Sequence, residues 1–192
     1  MITRLSTLIL QSRPPEGPMV VGITGVDASG KSVMTTLLAE ELVRSGISVQ
    51  VVRLDDFHLM RNERHVEGLS EPVQFYEHIF DFERLRNEIL KPIRDEGNLE
   101  TTLICLDVLE NTWTVERQYL VNDGTVVLLE GVFLFRPDIA HFLDLIIYLH
   151  VDDVSPTQRK YLEEYPAERN ADVIIDNNDW QNPIATKWHE AT

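Results

Sequence analysis

Apolar residues along the chain fall into short blocks, separated by turn clusters and by stretches with a helical period. Met19–Thr24, Ser48–Leu54, Thr125–Gly131, Asp144–Val151 and Ala171–Asp176 are blocks of strand length and mostly apolar throughout. Continuous rather than alternating apolar runs predict strands buried on both faces, as in a parallel sheet covered by helices. Ile2, Leu5, Leu8 and Ile9 recur at helical spacing and predict a helix over 2–12, ended by Arg13-Pro14-Pro15-Glu16-Gly17-Pro18. A second helix runs from Val33 to about Ser45-Gly46, with Gly46 as its C-cap. A third opens at Asp81-Phe82, with Asp81 as N-cap and Phe82, Leu85, Ile89 and Ile93 on one face; Pro92 kinks or shortens it. Arg136–Phe142 and Gln158–Glu164 are short helices, and 177–192 is a tail. Leu99–Leu106 and Thr112–Leu120 have strand character around a turn near Glu110-Asn111, which predicts a small antiparallel flap. Residues 59–79 have no period and read as a long loop over the functional face. Strands alternating with helices give a single three-layer α/β/α domain over 1–192, with a mostly parallel five-stranded sheet.

One loop in this frame carries chemistry. Gly25-Val26-Asp27-Ala28-Ser29-Gly30-Lys31-Ser32 fits G-x-x-x-x-G-K-[ST] at every fixed position, between the first strand and the second helix. Strand, glycine loop and helix make a phosphate-binding P-loop and place the fold in the P-loop NTPase class. Loop amides and the helix N-terminus turn partial positive charge on an anion. Lys31 can bridge β- and γ-phosphate oxygens, and the Ser32 hydroxyl can ligate a nucleotide's Mg²⁺.

Two further strands end in acids. Glu130 follows Val126-Val127-Leu128-Leu129, a Walker-B arrangement with Glu where Asp is usual; the alternative is an ordinary polar strand end. Asp55 and Asp56 follow the second strand, at the edge where ligands sit in doubly wound sheets. A carboxylate there can take the proton of an attacking hydroxyl or help hold Mg²⁺. Adjacent residues point apart, so one of the two faces the nucleotide. Asp27, inside the loop, faces an acceptor or a nearby amide rather than the phosphates it would repel. His58 is the acceptor-site histidine by position, and Trp113, Trp180 and Trp188 are packing residues.

Composition narrows the partners. A net charge of −15 argues against a nucleic-acid or anionic-membrane surface. No apolar run approaches the ~20 residues of a membrane span, and Met1–Gln11 lacks the features of a signal peptide. The single cysteine, Cys105, allows no intramolecular disulfide and suits a reducing, cytoplasmic setting. The six histidines show no zinc-site spacing. Homo-oligomerisation is left open.

These stretches together resemble the uridine kinase/phosphoribulokinase family of P-loop kinases. The resemblance is carried by Gly25–Ser32, by Leu54-Asp55-Asp56-Phe57-His58, and by Phe75-Tyr76-Glu77-His78-Ile79-Phe80-Asp81-Phe82. It continues through Glu130-Gly131-Val132-Phe133-Leu134-Phe135-Arg136-Pro137 and Ala171–Asn177. It implies Mg²⁺- and ATP-dependent phosphorylation of a hydroxyl on a small molecule, often a nucleoside ribose. It puts nucleotide contacts on Gly25 through Val33 (Gly25, Val26, Asp27, Ala28, Ser29, Gly30, Lys31, Ser32, Val33). Mg²⁺ falls to Ser32, Asp55 and Glu130, and catalysis to Asp55 and Lys31. Acceptor contacts fall on Asp55, His58, Tyr76, Glu77 and Asp107. The chain departs from the family in three places. His58 falls where the family's D-x-F-Y motif has its aromatic. Leu106–Asn111 lacks the aromatic and histidine expected to hold a pyrimidine. The arginine-bearing lid after Val151-Asp152 is short or missing, with Arg159 and Arg169 the only arginines beyond Arg136. The other readings are a kinase for a nucleoside monophosphate or vitamin precursor, and a nucleotide-binding regulatory protein that no longer transfers phosphate.

Overall fold

All five apolar blocks are strands of one sheet in the computed structural model, which describes residues 1–65, 67, 68 and 78–188. They are β1 (Met19–Gly25), β2 (Val49–Arg53), β5 (Val126–Gly131), β6 (Leu145–His150) and β7 (Val173–Asp176). The order is β2-β5-β1-β6-β7, all parallel, and β8 (Ile184–Trp188) adds an antiparallel edge beside β7. The five parallel strands stand as expected; the sixth comes from the stretch read as a tail. From β1 the chain goes to one side of the sheet for β2 and β5, then to the other for β6. A crevice therefore opens at the carboxyl end of β1, where such sheets take ligands.

Alternation along each strand explains why the runs are apolar throughout. Val20, Val127, Leu129, Ile146 and Ile174 join one core, while Met19, Val21, Ile23, Val126, Leu128, Ile147 and Ile175 join the other. The second core is covered by α1 (Ile2–Ser12) through Leu5, Leu8 and Ile9, and by α2 (Lys31–Arg44) through Met34, Leu38 and Leu42. The first is covered by α3 (Phe82–Leu85) and α4 (Lys91–Glu96), joined by a π-helical turn at Arg86–Leu90. Asp81 caps α3, its Oδ1 accepting from the Arg84 amide at 2.9 Å. Pro92 does not break this helix. It lacks an N–H for the Glu88 carbonyl, and the wider π turn directly before it absorbs the misfit.

The flap is a β3 (Leu99–Asp107) and β4 (Thr112–Val121) hairpin. Its Leu99, Leu103, Cys105, Tyr119 and Val121 belong to the first core, so it is anchored by one face. Among the described residues the remaining helices are α5 (Pro137–Ala140), α6 (Pro156–Glu164) and α7 (Ala167–Asn170). Among the described residues, no helix is long and apolar enough to cross a membrane.

Gly131, at the end of β5, fixes the approach of the Leu54 turn. A Cβ on Gly131 would lie 2.5 Å from Leu54 Cβ, and Leu54 is fully buried. Gly131→Ala is expected to destabilise the fold by about 1–3 kcal/mol through this overpacking. A urea midpoint equal to that of the parent chain would contradict it.

Candidate active site

The glycine loop leaves β1 and closes on the first turn of α2, with Gly30 at φ +90°. Gly30 also faces a neighbour: a Cβ there would sit 2.6 Å from Asn177 Nδ2. That amide donates to the Ser29 carbonyl at 2.8 Å, so the chain just beyond β7 braces the loop. On the other flank, the Asp27 amide donates to Gln158 Oε1 at 3.3 Å. Lys31 Nζ donates to the Val26 carbonyl at 2.7 Å and stays at the rim of the loop. Burial pulls the Lys31 pKa below its usual value, and Asp27, Glu130 and Asp55 oppose the shift. Those three carboxylates therefore surround one ammonium.

Glu130 is nearly fully buried, with 6% exposure. The Ser32 hydroxyl donates to its Oε1. Among the described residues its Oε2 is buried without a hydrogen-bond donor, and Arg53 Nε lies 3.7 Å from it. An orphaned carboxylate oxygen beside a serine hydroxyl suits a hard cation such as Mg²⁺, which usually takes one or two carboxylates plus substrate phosphates. Among the described residues no cluster of three His, Cys, Asp or Glu side chains could hold a metal alone. The pair fits an ion that arrives with a nucleotide.

A 3₁₀ turn over Leu54–Phe57 separates the two adjacent acids. Asp55 is exposed and lines a cavity of about 340 Å³ with Asp27, Lys31, Ser32, Arg53 and Glu130. Asp56 turns inward. Its carboxylate accepts from Arg117 Nε at 2.9 Å and from the Tyr119 hydroxyl at 3.3 Å. It thereby ties the turn to β4 of the flap and is committed to structure. His58 lines the same cavity, its Nδ1 2.8 Å from the Asp55 carbonyl and its ring against Phe80 at 4.4 Å.

On the other side of the loop lies a more apolar cavity of about 530 Å³. Its walls include Met34, Leu37, Val151, Trp180 and Pro183, and Asp27 and Ala28 line both cavities. Trp180, read as a packing residue, is instead 73% exposed at this cavity. Its position among polar neighbours gave no sign of this.

The chain is similar to known proteins in both sequence and fold. No protein-family model matches the chain. A uridine kinase from Leuconostoc citreum is 29% identical over 149 residues, covering 71% of this chain and 63% of that protein, so the match spans less than two thirds of it. A uridine kinase from Psychromonas ingrahamii is 24% identical over 160 residues, covering 82% of this chain and 74% of its own. A solved structure described as a possible uridine kinase, from Bacillus stearothermophilus, superposes with a TM-score of 0.79 at 28% identity, covering 91% of this chain and 97% of its own. In sequence and in fold the chain is similar to these uridine kinases.

Within this uridine-kinase-like frame, the other expected site residues fall unevenly. Tyr76 and Glu77 lie outside the described residues. Asp107 is held in the hairpin turn, its Oδ1 accepting from the Leu109 and Glu110 amides at 3.0 and 3.1 Å. It does not line the Lys31 cavity. Arg61 donates to the Asn111 side chain and to the Val108 and Leu109 carbonyls, fastening the loop after β2 to that same turn. β6 ends at His150 and α6 begins at Pro156, so five residues stand where the resemblance implies a lid. Arg159 donates to the Val154 carbonyl at 3.3 Å, and Arg136 pairs with Asp138 over the Phe82 ring. Arg53 and Gln158 were not singled out by sequence. Arg53 has one legible cue: it directly precedes Leu54-Asp55-Asp56 on a strand that reaches the ligand edge.

Proposed function

We propose that the chain is an ATP-dependent small-molecule kinase that transfers the γ-phosphoryl group to an alcohol. The observation that carries this reading is the convergence of Lys31, Ser32, Asp55 and Glu130, from three separate elements, on one cavity beside the P-loop. A nucleotide would lie across the loop. Its base would occupy the apolar cavity by Met34, Leu37 and Trp180, and its γ-phosphate would enter the polar one. Ser32 and Glu130 would hold Mg²⁺, which when bound neutralises phosphate oxygens. Asp55 takes the proton of the acceptor hydroxyl as the new P–O bond forms and the bond to the β-phosphate oxygen breaks. Lys31 draws the developing charge. The products are ADP and a phosphorylated alcohol. A nucleoside is the first acceptor class to try, since the relatives are named uridine kinases. With Cys105 buried and unpaired, the proposed setting is cytoplasmic.

The five-residue link after β6 favours a second reading, a nucleotide-binding protein that has lost transfer. An ADP-release screen with Mg·ATP over nucleosides, nucleoside monophosphates and sugars separates the two. The kinase reading expects at least one alcohol to raise ADP release, with a phosphorylated product seen by phosphorus NMR. ATP binding without acceptor-dependent turnover anywhere in the panel would favour the second reading.

A further inference from the structure

We infer that Arg53 is an anion-binding residue for the transferred phosphoryl group, a proposal that rests on the kinase reading above. Arg53 ends β2, and its Cα stands level with Glu130 of β5 in the parallel register. Residues level in adjacent strands share a face, so its side chain leaves the sheet edge beside the acid that fits Mg²⁺. It lines the 340 Å³ cavity, its side chain is 49% exposed, and among the described residues it makes one ion pair, Nε to Glu130 Oε2 at 3.7 Å. That separation is beyond hydrogen-bond range, so the guanidinium is drawn to the acid without being locked to it.

The charge balance gives Arg53 its task. Asp27, Asp55 and Glu130 line this cavity against two basic side chains, Lys31 and Arg53. A triphosphate adds more negative charge to a site already acidic. Charge that develops on the transferring group needs donors aimed at it, and a planar guanidinium suits phosphate oxygens. Nearby arginines are otherwise engaged: Arg117 with Asp56, Arg61 with the hairpin turn, and Arg159 with Val154. A Mg²⁺ ion held by Glu130 would compete for that carboxylate, and the Arg53 guanidinium would then be free to turn toward the γ-phosphate. It has five N–H donors for that contact, and Lys31 approaches from the loop.

Calorimetric titration of the wild type, Arg53→Met and Arg53→Lys with Mg·ADP and with a non-hydrolysable Mg·ATP analogue tests this. Loss of a charged hydrogen bond to the γ-phosphate predicts roughly tenfold weaker analogue binding by Arg53→Met. ADP affinity should stay within about twofold, and Arg53→Lys should recover part of the loss. In acceptor-dependent turnover, kcat should fall roughly 10²-fold with little change in the acceptor KM. Equal loss of both nucleotides would mean that Arg53 merely balances Glu130, and no loss of either would mean no γ-phosphate contact; each overturns the inference. A wild type that discriminates the two nucleotides through Arg53 yet transfers nothing would sink the kinase reading while keeping the γ-phosphate contact. A wild type that binds neither nucleotide would sink both.

Discussion

Asp55→Asn is expected to lower acceptor-dependent ADP release by roughly 10²–10⁴-fold, the range that a positioned general base contributes. The substitution keeps the shape of the side chain and removes its ability to take a proton. Asp55 is exposed at the cavity, and among the described residues its carboxylate has no hydrogen-bond partner that ties it into the fold, so thermal stability should hold. Nucleotide affinity should hold or rise slightly, because one of three carboxylates around Lys31 is neutralised as phosphates arrive. Asp56→Asn is the contrasting variant. An amide there turns one donor face toward Arg117 and Tyr119, where the carboxylate accepts from both. Its cost is therefore expected in the urea midpoint, with transfer reduced only as the flap loosens. Paired measurements of kcat, nucleotide affinity and midpoint separate the two. Asp55→Asn turnover within a few-fold of the parent would remove Asp55 as the base.

The contrast between those adjacent acids shows where the sequence becomes silent. Gly25–Ser32 is legible because its chemistry depends on spacing alone, and the parallel strands are legible because double-sided burial leaves unbroken apolar runs. Which of Asp55 and Asp56 turns inward depends on Arg117 and Tyr119, some sixty residues on. Periodicity carries no such pairing. β8 is hidden from the sequence for a related reason. Ile184–Trp188 is a partly exposed edge strand, and its order comes from pairing with β7 and from Arg4 lying 3.9 Å above the Trp188 ring. Asp107 sits at the flap position that the family resemblance marks for acceptor contact, yet local amides claim its carboxylate. A resemblance transfers positions, and hydrogen bonding within the hairpin decides how this side chain is used. Arg53 was legible as a residue type at a ligand edge. Its significance needed the register that sets it beside Glu130.

Alkaline pH is expected to unfold this protein steeply, and the cause is three buried tyrosines. Burial, then Glu168, pushes Tyr148 up to about 12. Burial, then Asp56, raises Tyr119, and burial raises Tyr161 although its hydroxyl accepts from the Phe135 amide at 2.8 Å. In the unfolded chain all three ionise near the ordinary value of about 10. Above that pH the unfolded state has lost these protons while the folded state still holds them, so folding weakens as pH rises. Stability from these groups is complete below about pH 10 and is lost toward pH 12 and beyond. Three such groups give a slope of about 4 kcal/mol per pH unit near pH 11, against a typical total of about 5–15 kcal/mol. Lys31 acts in the opposite sense, since its lowered pKa makes stability rise with pH. That effect comes from one group and is over by about pH 10.5, so the tyrosines prevail. Urea midpoints at pH 9, 10 and 11 should fall progressively, and tyrosinate absorbance should appear together with the loss of structure. Tyr148→Phe removes a titrating hydroxyl from a fully packed strand position, and it should flatten the slope near pH 11 by about 1 kcal/mol per pH unit. A midpoint that stays level from pH 9 to 11 would mean that these hydroxyls ionise without unfolding the chain.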